Sequence, residues 1–308
     1  MKAARISADR VYRGALGVAA ALVFVVVALI VFETTRGAGL ALRTFGLGFL
    51  TSTDWDPVTE KFGALPYIYG TLVSSALALL LAVPLGIGTA VYLAEVANRR
   101  LGTIVSFVIE LLAAIPSIVY GVWGFFVLAP WLRSAVEPWL IAHLGFLPLF
   151  SGYPFGIGML NAGIVLAIMV VPTIVSISRE VLLSTPRSVR EAALALGATP
   201  AEAIGVALGA AKPGILGAVI LALGRALGET MAVTMVIGNT NRISASLLDP
   251  GATMASIIAN EFTEATTPLY ISSLIEIALV LFAITIVVNG LARLLVLWAT
   301  GGRRTVLA

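Results

Sequence analysis

Four ionisable side chains fall inside stretches that are otherwise apolar enough to cross a bilayer: Glu110, Arg225, Glu229 and Glu276. A charge held there costs on the order of 2.5–3.5 kcal/mol on insertion scales, so each is a candidate for function. Arg225 and Glu229 stand four residues apart, which on a continuous helix puts them on one face and lets them pair. Pairing alone would be a structural device that lowers the cost of both charges. The second reading is a hydrated path, in which the planar, many-donor guanidinium recognises an oxyanion. Glu229 would compete for that guanidinium and keep the anion's contact weak enough for release. Thr230 and Thr234 would add hydroxyls along the same helix.

Other chemistry has little to work with. There are no cysteines and one histidine, His143, which is expected in a polar-flanked loop. No metal-ligand cluster is legible, so neither a metal nor a cofactor is expected, and catalysis by this chain is not. No G-x-x-x-x-G-K-[ST] phosphate cradle occurs, and the three lysines, at 2, 61 and 212, stand in no such setting. The formal charge of +3 is too thinly spread for a nucleic-acid face.

The elements that must position the four charges are membrane helices. Of the 308 residues, 59% are hydrophobic and 11% charged, with a mean hydropathy of +1.05. A soluble domain is about a quarter charged. Six apolar runs of the roughly 20 residues needed to span a bilayer occur at about 14–32, 68–93, 103–128, 156–178, 214–238 and 272–295. At about 1.5 Å of rise per residue, Arg225 lies about 16 Å into the fifth run, close to the bilayer centre. Glu110 lies about 10 Å from one end of the third run and Glu276 about one turn into the sixth.

With the N-terminus inside, 13 of the 19 Lys and Arg fall on the cytoplasmic side and five outside (Arg36, Arg43, Lys61, Arg133 and Arg242). Positive residues accumulate inside, so both termini are expected in the cytoplasm of a multi-pass plasma- or inner-membrane protein. The run from Gly14 to Phe32 is too long for a signal-peptide core and reads as a retained anchor.

The longest inside connection, 179–213, reads REVLLSTPRSVREAALALGATPAEAIGVALGAAKPG. Thr185 and Pro186 should start a helix that Gly197 ends. Thr199, Pro200 and Glu202 then supply a cap, a first-turn proline and the acid of a capping box for a second short helix. The knuckle should present Ala192, Ala193 and Ala195, small residues that let another protein approach closely.

These residues carry a resemblance. Glu191, Ala192 and Ala193, with Gly197 four residues beyond, look like the EAA loop of bacterial ABC importer permeases, which docks on the ATPase subunit. Leu208 is followed by Gly209 where many relatives have proline. The run GRALGETMAVTMVIGN (224–239) is similar to the fifth-helix signature of the C-type permease subunit of phosphate-specific transport systems, and FLTSTDWDP (49–57) and AAIPSIVYGVWG (113–124) agree with it. In sulfate and molybdate permeases the glycine-glutamate is usually followed by Phe-Gly rather than Thr-Met.

The resemblance implies an all-α integral membrane fold: six transmembrane helices with a type I ABC importer (MetI-like) permease core. Residues 1–35 would form the cytoplasmic N-terminus and anchor, 36–67 an extracytoplasmic loop, 68–298 a five-helix core with its coupling loop at 179–213, and 299–308 a cytoplasmic tail. It also implies the partners: a homologous A-type permease forming a heterodimer, two copies of an ATP-binding subunit, an extracytoplasmic phosphate-binding protein, inorganic phosphate as the cargo and the lipid bilayer as the medium. Arg225 and Glu229 map onto the arginine and glutamate that matter for phosphate passage in that family. Glu110 and Glu276 are nominated on physical grounds alone. The rival readings are a permease for sulfate or molybdate and a proton-coupled secondary transporter using the buried carboxylates as relays.

Overall fold

A computed structural model describes residues 2–299. The expected tail beyond Ala299, with Arg303 and Arg304, lies outside the described residues. Among the described residues, six helical segments are long and apolar enough to cross a membrane: Arg10–Gly37, Leu65–Val96, Ser117–Leu144, Met159–Ser184, Pro200–Gly228 and Pro268–Trp298. Their number matches the expectation, and two of their boundaries do not.

The first departure is the third span. The expected run 103–128 is split at Ile115 and Pro116, both of which have extended backbone. Proline disfavours the helical conformation in the residue before it, which ends α4 (Arg99–Ala114). Asn98 caps α4 by accepting from the Leu101 N–H at 2.8 Å. The crossing segment then begins at Ser117 and runs through α5 (Ser117–Trp123), α6 (Ala129–Trp131) and α7 (Glu137–Leu144), joined by two π-turns. Residues 129–144, expected as loop, are therefore helical. His143 sits at the end of α7, stacked on Trp139 with ring centroids 4.7 Å apart, rather than in a loop.

The second departure is the fifth span. α10 (Pro200–Gly228) starts at the capping box and runs unbroken through Pro213, so the expected second short helix is the first part of the span itself. It stops at Gly228. Glu229 is extended, and α11 (Met231–Val236) follows as a separate piece.

α8 (Met159–Ser184) is the central helix, with most of its surface buried. It lies along α3 (Leu65–Val91), and the two approach through small residues. A Cβ at Gly86 would come within 2.7 Å of Ile174 Cγ2, so only glycine permits that spacing. Val165, Leu166, Val170 and Ile174 of α8 form the main core with Ala78 and Ala82 of α3, Ala222 and Ala226 of α10, and Val233 and Val236 of α11.

A second core closes the end opposite the 179–213 connection. There α2 (Gly39–Phe45), a two-residue hairpin of β1 (Trp55–Asp56) and β2 (Lys61–Phe62), α12 (Met254–Glu261) and the start of α13 (Pro268–Ala299) meet. Trp55 packs edge-on against Phe62 and Tyr67, at 4.9 and 5.0 Å. Glu261 accepts from the Trp55 indole at 2.6 Å and from the Tyr270 hydroxyl at 2.5 Å. α1 (Lys2–Gly37) stands apart, exposed from Val11 to Ile30, and meets the bundle near its end, where Gly37 lies against Ile275.

Candidate functional site

Arg225 faces a cavity between α10 and α13, and the residues of the 179–213 connection form a knuckle of α9 (Arg187–Ala195) with the start of α10; Glu110, Glu229, Thr230, Thr234 and Glu276 lie in neither.

Arg225 lies in the last turn of α10, where a cation complements the helix dipole. It lines a cavity of about 990 Å³ together with Thr173 of α8, Gly217 and Gly224 of α10, and Asn289 and Arg293 of α13. Its one hydrogen bond is long, from Nη1 to the Thr173 hydroxyl at 3.5 Å. The expected pair with Glu229 does not form. Because α10 ends at Gly228, the one-face relation of positions four apart no longer applies. Glu229 instead turns to α11, where its Oε1 accepts from the Ala232 N–H at 3.4 Å. Thr230 donates to the Gly228 carbonyl at 3.3 Å and Thr234 to the Thr230 carbonyl at 2.8 Å. Glu229 and Thr230 satisfy groups freed by the helix break, as irregular backbone in a membrane requires, while Thr234 adds a second donor to a carbonyl already bonded to its own N–H. They do not line the arginine cavity.

Glu110 is exposed on α4, outside the crossing segment to which it was assigned. Glu276 is 2% exposed, with its Oε2 unpartnered. It faces a different cavity, of about 460 Å³, walled by Leu42, Leu47, Leu50, Ile68, Val280 and Ile284. The intramembrane charges are thus in separate places, and Arg225 shares its cavity with none of the three carboxylates.

Arg293 and Asn289 were not singled out from the sequence. Arg293 was counted among the cytoplasmic charges although it falls within the sixth apolar run, 272–295, and apolar residues continue past it to Ala299. A signal was present: an asparagine in an apolar helix with an arginine four residues on, on the same face.

At the knuckle, Pro186 rather than Thr185 caps α9. Gly197 adopts φ +88, a left-handed conformation that glycine takes at no cost. The N–H of Ala198 returns to the Ala193 carbonyl at 3.1 Å, closing the turn. The capping box of α10 is present. Glu202 Oε2 accepts from the Thr199 N–H at 2.7 Å and from its hydroxyl at 2.8 Å, while the Thr199 hydroxyl accepts from the Glu202 N–H at 3.4 Å. Glu191, Ala192, Ala195 and Pro200 are exposed, whereas Ala193 is buried against the bundle, because α9 lies with that face inward. Leu194 is exposed too, and Leu196 is 91% exposed, so the knuckle offers leucines as well as alanines.

What holds α9 in place was also missed. Arg190 forms a two-pronged ion pair with Glu95, which follows α3, with Nε 2.9 Å from Oε2 and Nη2 against Oε1. Its remaining donors reach the carbonyls of Thr185 at 3.0 Å and Leu182 at 2.9 Å. The Glu95 carboxylate holds the guanidinium above its ordinary pKa. Glu95, Arg187, Arg190 and Glu191 border a cleft of about 320 Å³.

The family described as "Binding-protein-dependent transport system inner membrane component" matches residues 82–299. The "Phosphate transport system permease protein PstC" of Mesorhizobium japonicum is 49% identical over 92% of this chain and 89% of its own length. Its namesake from Xylella fastidiosa is 48% identical over 90% and 88%. The "Probable phosphate transport system permease protein PstC" of Methanocaldococcus jannaschii is 38% identical over 87% of each chain. A solved structure titled "Inward facing conformations of the MetNI methionine ABC transporter" shares the fold with a TM-score of 0.54, at 19% identity over 75% of this chain and 93% of that one.

Proposed function

This chain belongs to the family of binding-protein-dependent transport system inner membrane components, and from that premise we propose that it is the permease subunit of an ATP-driven importer of inorganic phosphate. The observation that carries the reading is Arg225, an arginine in a membrane helix with no acidic partner, lining a large cavity. Phosphate is favoured over other oxyanions by the relatives' names; the guanidinium would suit any tetrahedral anion.

In this reading the exposed knuckle of Glu191, Ala192, Gly197 and Pro200 docks on a separate ATP-hydrolysing subunit, two copies serving the complex. A homologous permease supplies the other half of the channel, and an extracytoplasmic binding protein delivers phosphate to the loops around Trp55 and Glu261. Both termini are cytoplasmic, so α9 and Arg190 face the ATPase. ATP-driven closure of the ATPase pair tilts α9, and the rigid link from Arg190 to Glu95 passes that motion to α3 and α8. Phosphate passes Glu229, Thr230 and Thr234 and then Arg225, whose single weak protein contact leaves its donors available to an anion. Glu110 and Glu276 are secondary members of the path, each tested by its glutamine variant.

The experiment is labelled-phosphate uptake into vesicles carrying this chain with its permease partner, ATPase and binding protein. ATP-dependent uptake that excess sulfate does not suppress is the expected result. Suppression by sulfate or molybdate would reassign the cargo. Uptake by this chain alone under a proton gradient would make it a secondary transporter.

A further inference from the structure

We propose that Arg293 and Asn289 of α13 form, with Arg225, a second recognition site for a phosphate oxyanion. The ligand is either free phosphate leaving the path or the headgroup phosphate of a phospholipid. The first source rests on the transport reading above; the second does not.

The cavity's lining contains two guanidinium groups and no carboxylate. Among the described residues Arg293 has no ion pair or hydrogen bond, and Arg225 has its one long contact to Thr173. Two cations facing one cavity without a counter-charge repel each other, and an anion between them removes that cost. Asn289 lies on the same face of α13 as Arg293, one turn and about 6 Å before it. It packs beside Arg225's neighbour: a Cβ on Gly224 would sit 3.6 Å from its Nδ2. Its Oδ1 is buried without a partner, an uncommon state for a buried amide.

This donor and acceptor set fits phosphate. Each guanidinium offers a planar fork to two oxygens, and the carboxamide nitrogen donates to a third. The carboxamide oxygen accepts from the O–H that phosphate retains near neutral pH. The walls leave room, since a Cβ on Gly217 or Gly290 would meet nothing within 4 Å. With one arginine on α10 and one on α13, the cavity gives the ion two shallow stations, which favours exit over trapping. Ile220, Leu221 and Ile286 form the apolar remainder of the lining, where an acyl chain would lie if the ligand were a lipid.

The test compares wild type, Arg293→Gln, Arg293→Lys and Asn289→Leu in the complete importer. Each is reconstituted into vesicles of phosphatidylcholine alone and of phosphatidylcholine with phosphatidylglycerol. ATP-dependent uptake of labelled phosphate, ATPase co-purification and tightly bound phospholipid are measured. For free phosphate as ligand, Arg293→Gln lowers uptake roughly tenfold in both vesicle types while the complex stays assembled. Arg293→Lys recovers part of that, because the charge is kept and the fork lost. For a lipid ligand, Arg293→Gln loses bound phosphatidylglycerol, and its uptake defect appears only in vesicles containing that lipid. Variants with wild-type uptake in both vesicle types and wild-type bound lipid would overturn the site. Should Arg293→Gln fail to assemble, Arg293→Lys and Asn289→Leu are read by the same criteria. A wild-type complex that imports no phosphate would refute the transport reading instead, and bound lipid alone would then decide the site.

Discussion

Arg190 and Arg225 are each held on a helix near an irregular turn, yet their surroundings are opposites. Arg190 spends its donors on Glu95 and on the carbonyls of Leu182 and Thr185, and it is 20% exposed. Arg225 has one long contact and a cavity of about 990 Å³ in front of it. An arginine with its donors consumed is a bracket, fixing one helix against two others. An arginine whose donors are left over is available to a ligand. Within one chain the same side chain serves both purposes, and the count of satisfied donors separates them.

The sharpest way to break the comparison is to neutralise each arginine and ask which property fails. Arg225→Gln should lower phosphate uptake on the order of 10- to 100-fold, the worth of one or two charge-assisted hydrogen bonds. Thermal stability and ATPase co-purification should change little, because no protein partner is left behind. A large loss of stability would show Arg225 to be a second bracket.

Arg190→Ala should do the reverse. It leaves the carboxylate of Glu95, 8% exposed, without its partner, and should cost roughly 1–3 kcal/mol in the stability of the complex. Replacing both residues, as Glu95→Leu with Arg190→Met, should recover part of that, since neither charge is then stranded. If the double variant unfolds as readily as Arg190→Ala, the pair is not what fixes α9.

Smaller changes sharpen the picture of the knuckle. Gly197→Ala meets no atom within 4 Å, so its penalty is confined to the left-handed backbone, about 1–2 kcal/mol. It should tilt α9, with weaker ATPase co-purification as the readout. Thr199→Ala removes the cap of α10 and should cost about 1 kcal/mol, seen as a lower unfolding midpoint with uptake nearly intact.

The regions differ as well in how far they can be read from the residues alone. The capping box of Thr199 and Glu202, the turn at Gly197 and the existence of six spans were all legible, because each depends on residues within a turn or two of one another. The end of α10 was not. Its apolar run continues past Gly228 to Val236, and hydropathy alone has no reason to stop there. Pro116 did carry a visible signal against a continuous third span, but a kinked crossing helix remains compatible with a proline until packing decides.

Sequence by itself determined that this chain is a six-span membrane protein, since that follows from length, hydropathy and charge, which sum along the chain. It also determined where the knuckle's helices begin, since caps are satisfied locally. Tertiary structure alone decided which charges meet. Arg190 and Glu95 are 95 residues apart, and Arg225 shares a cavity with Asn289 and Arg293 only because α13 returns beside α10. Helical periodicity governs contacts three and four residues apart; contacts between helices depend on how whole faces of small and large side chains fit together, and no local spacing encodes that fit.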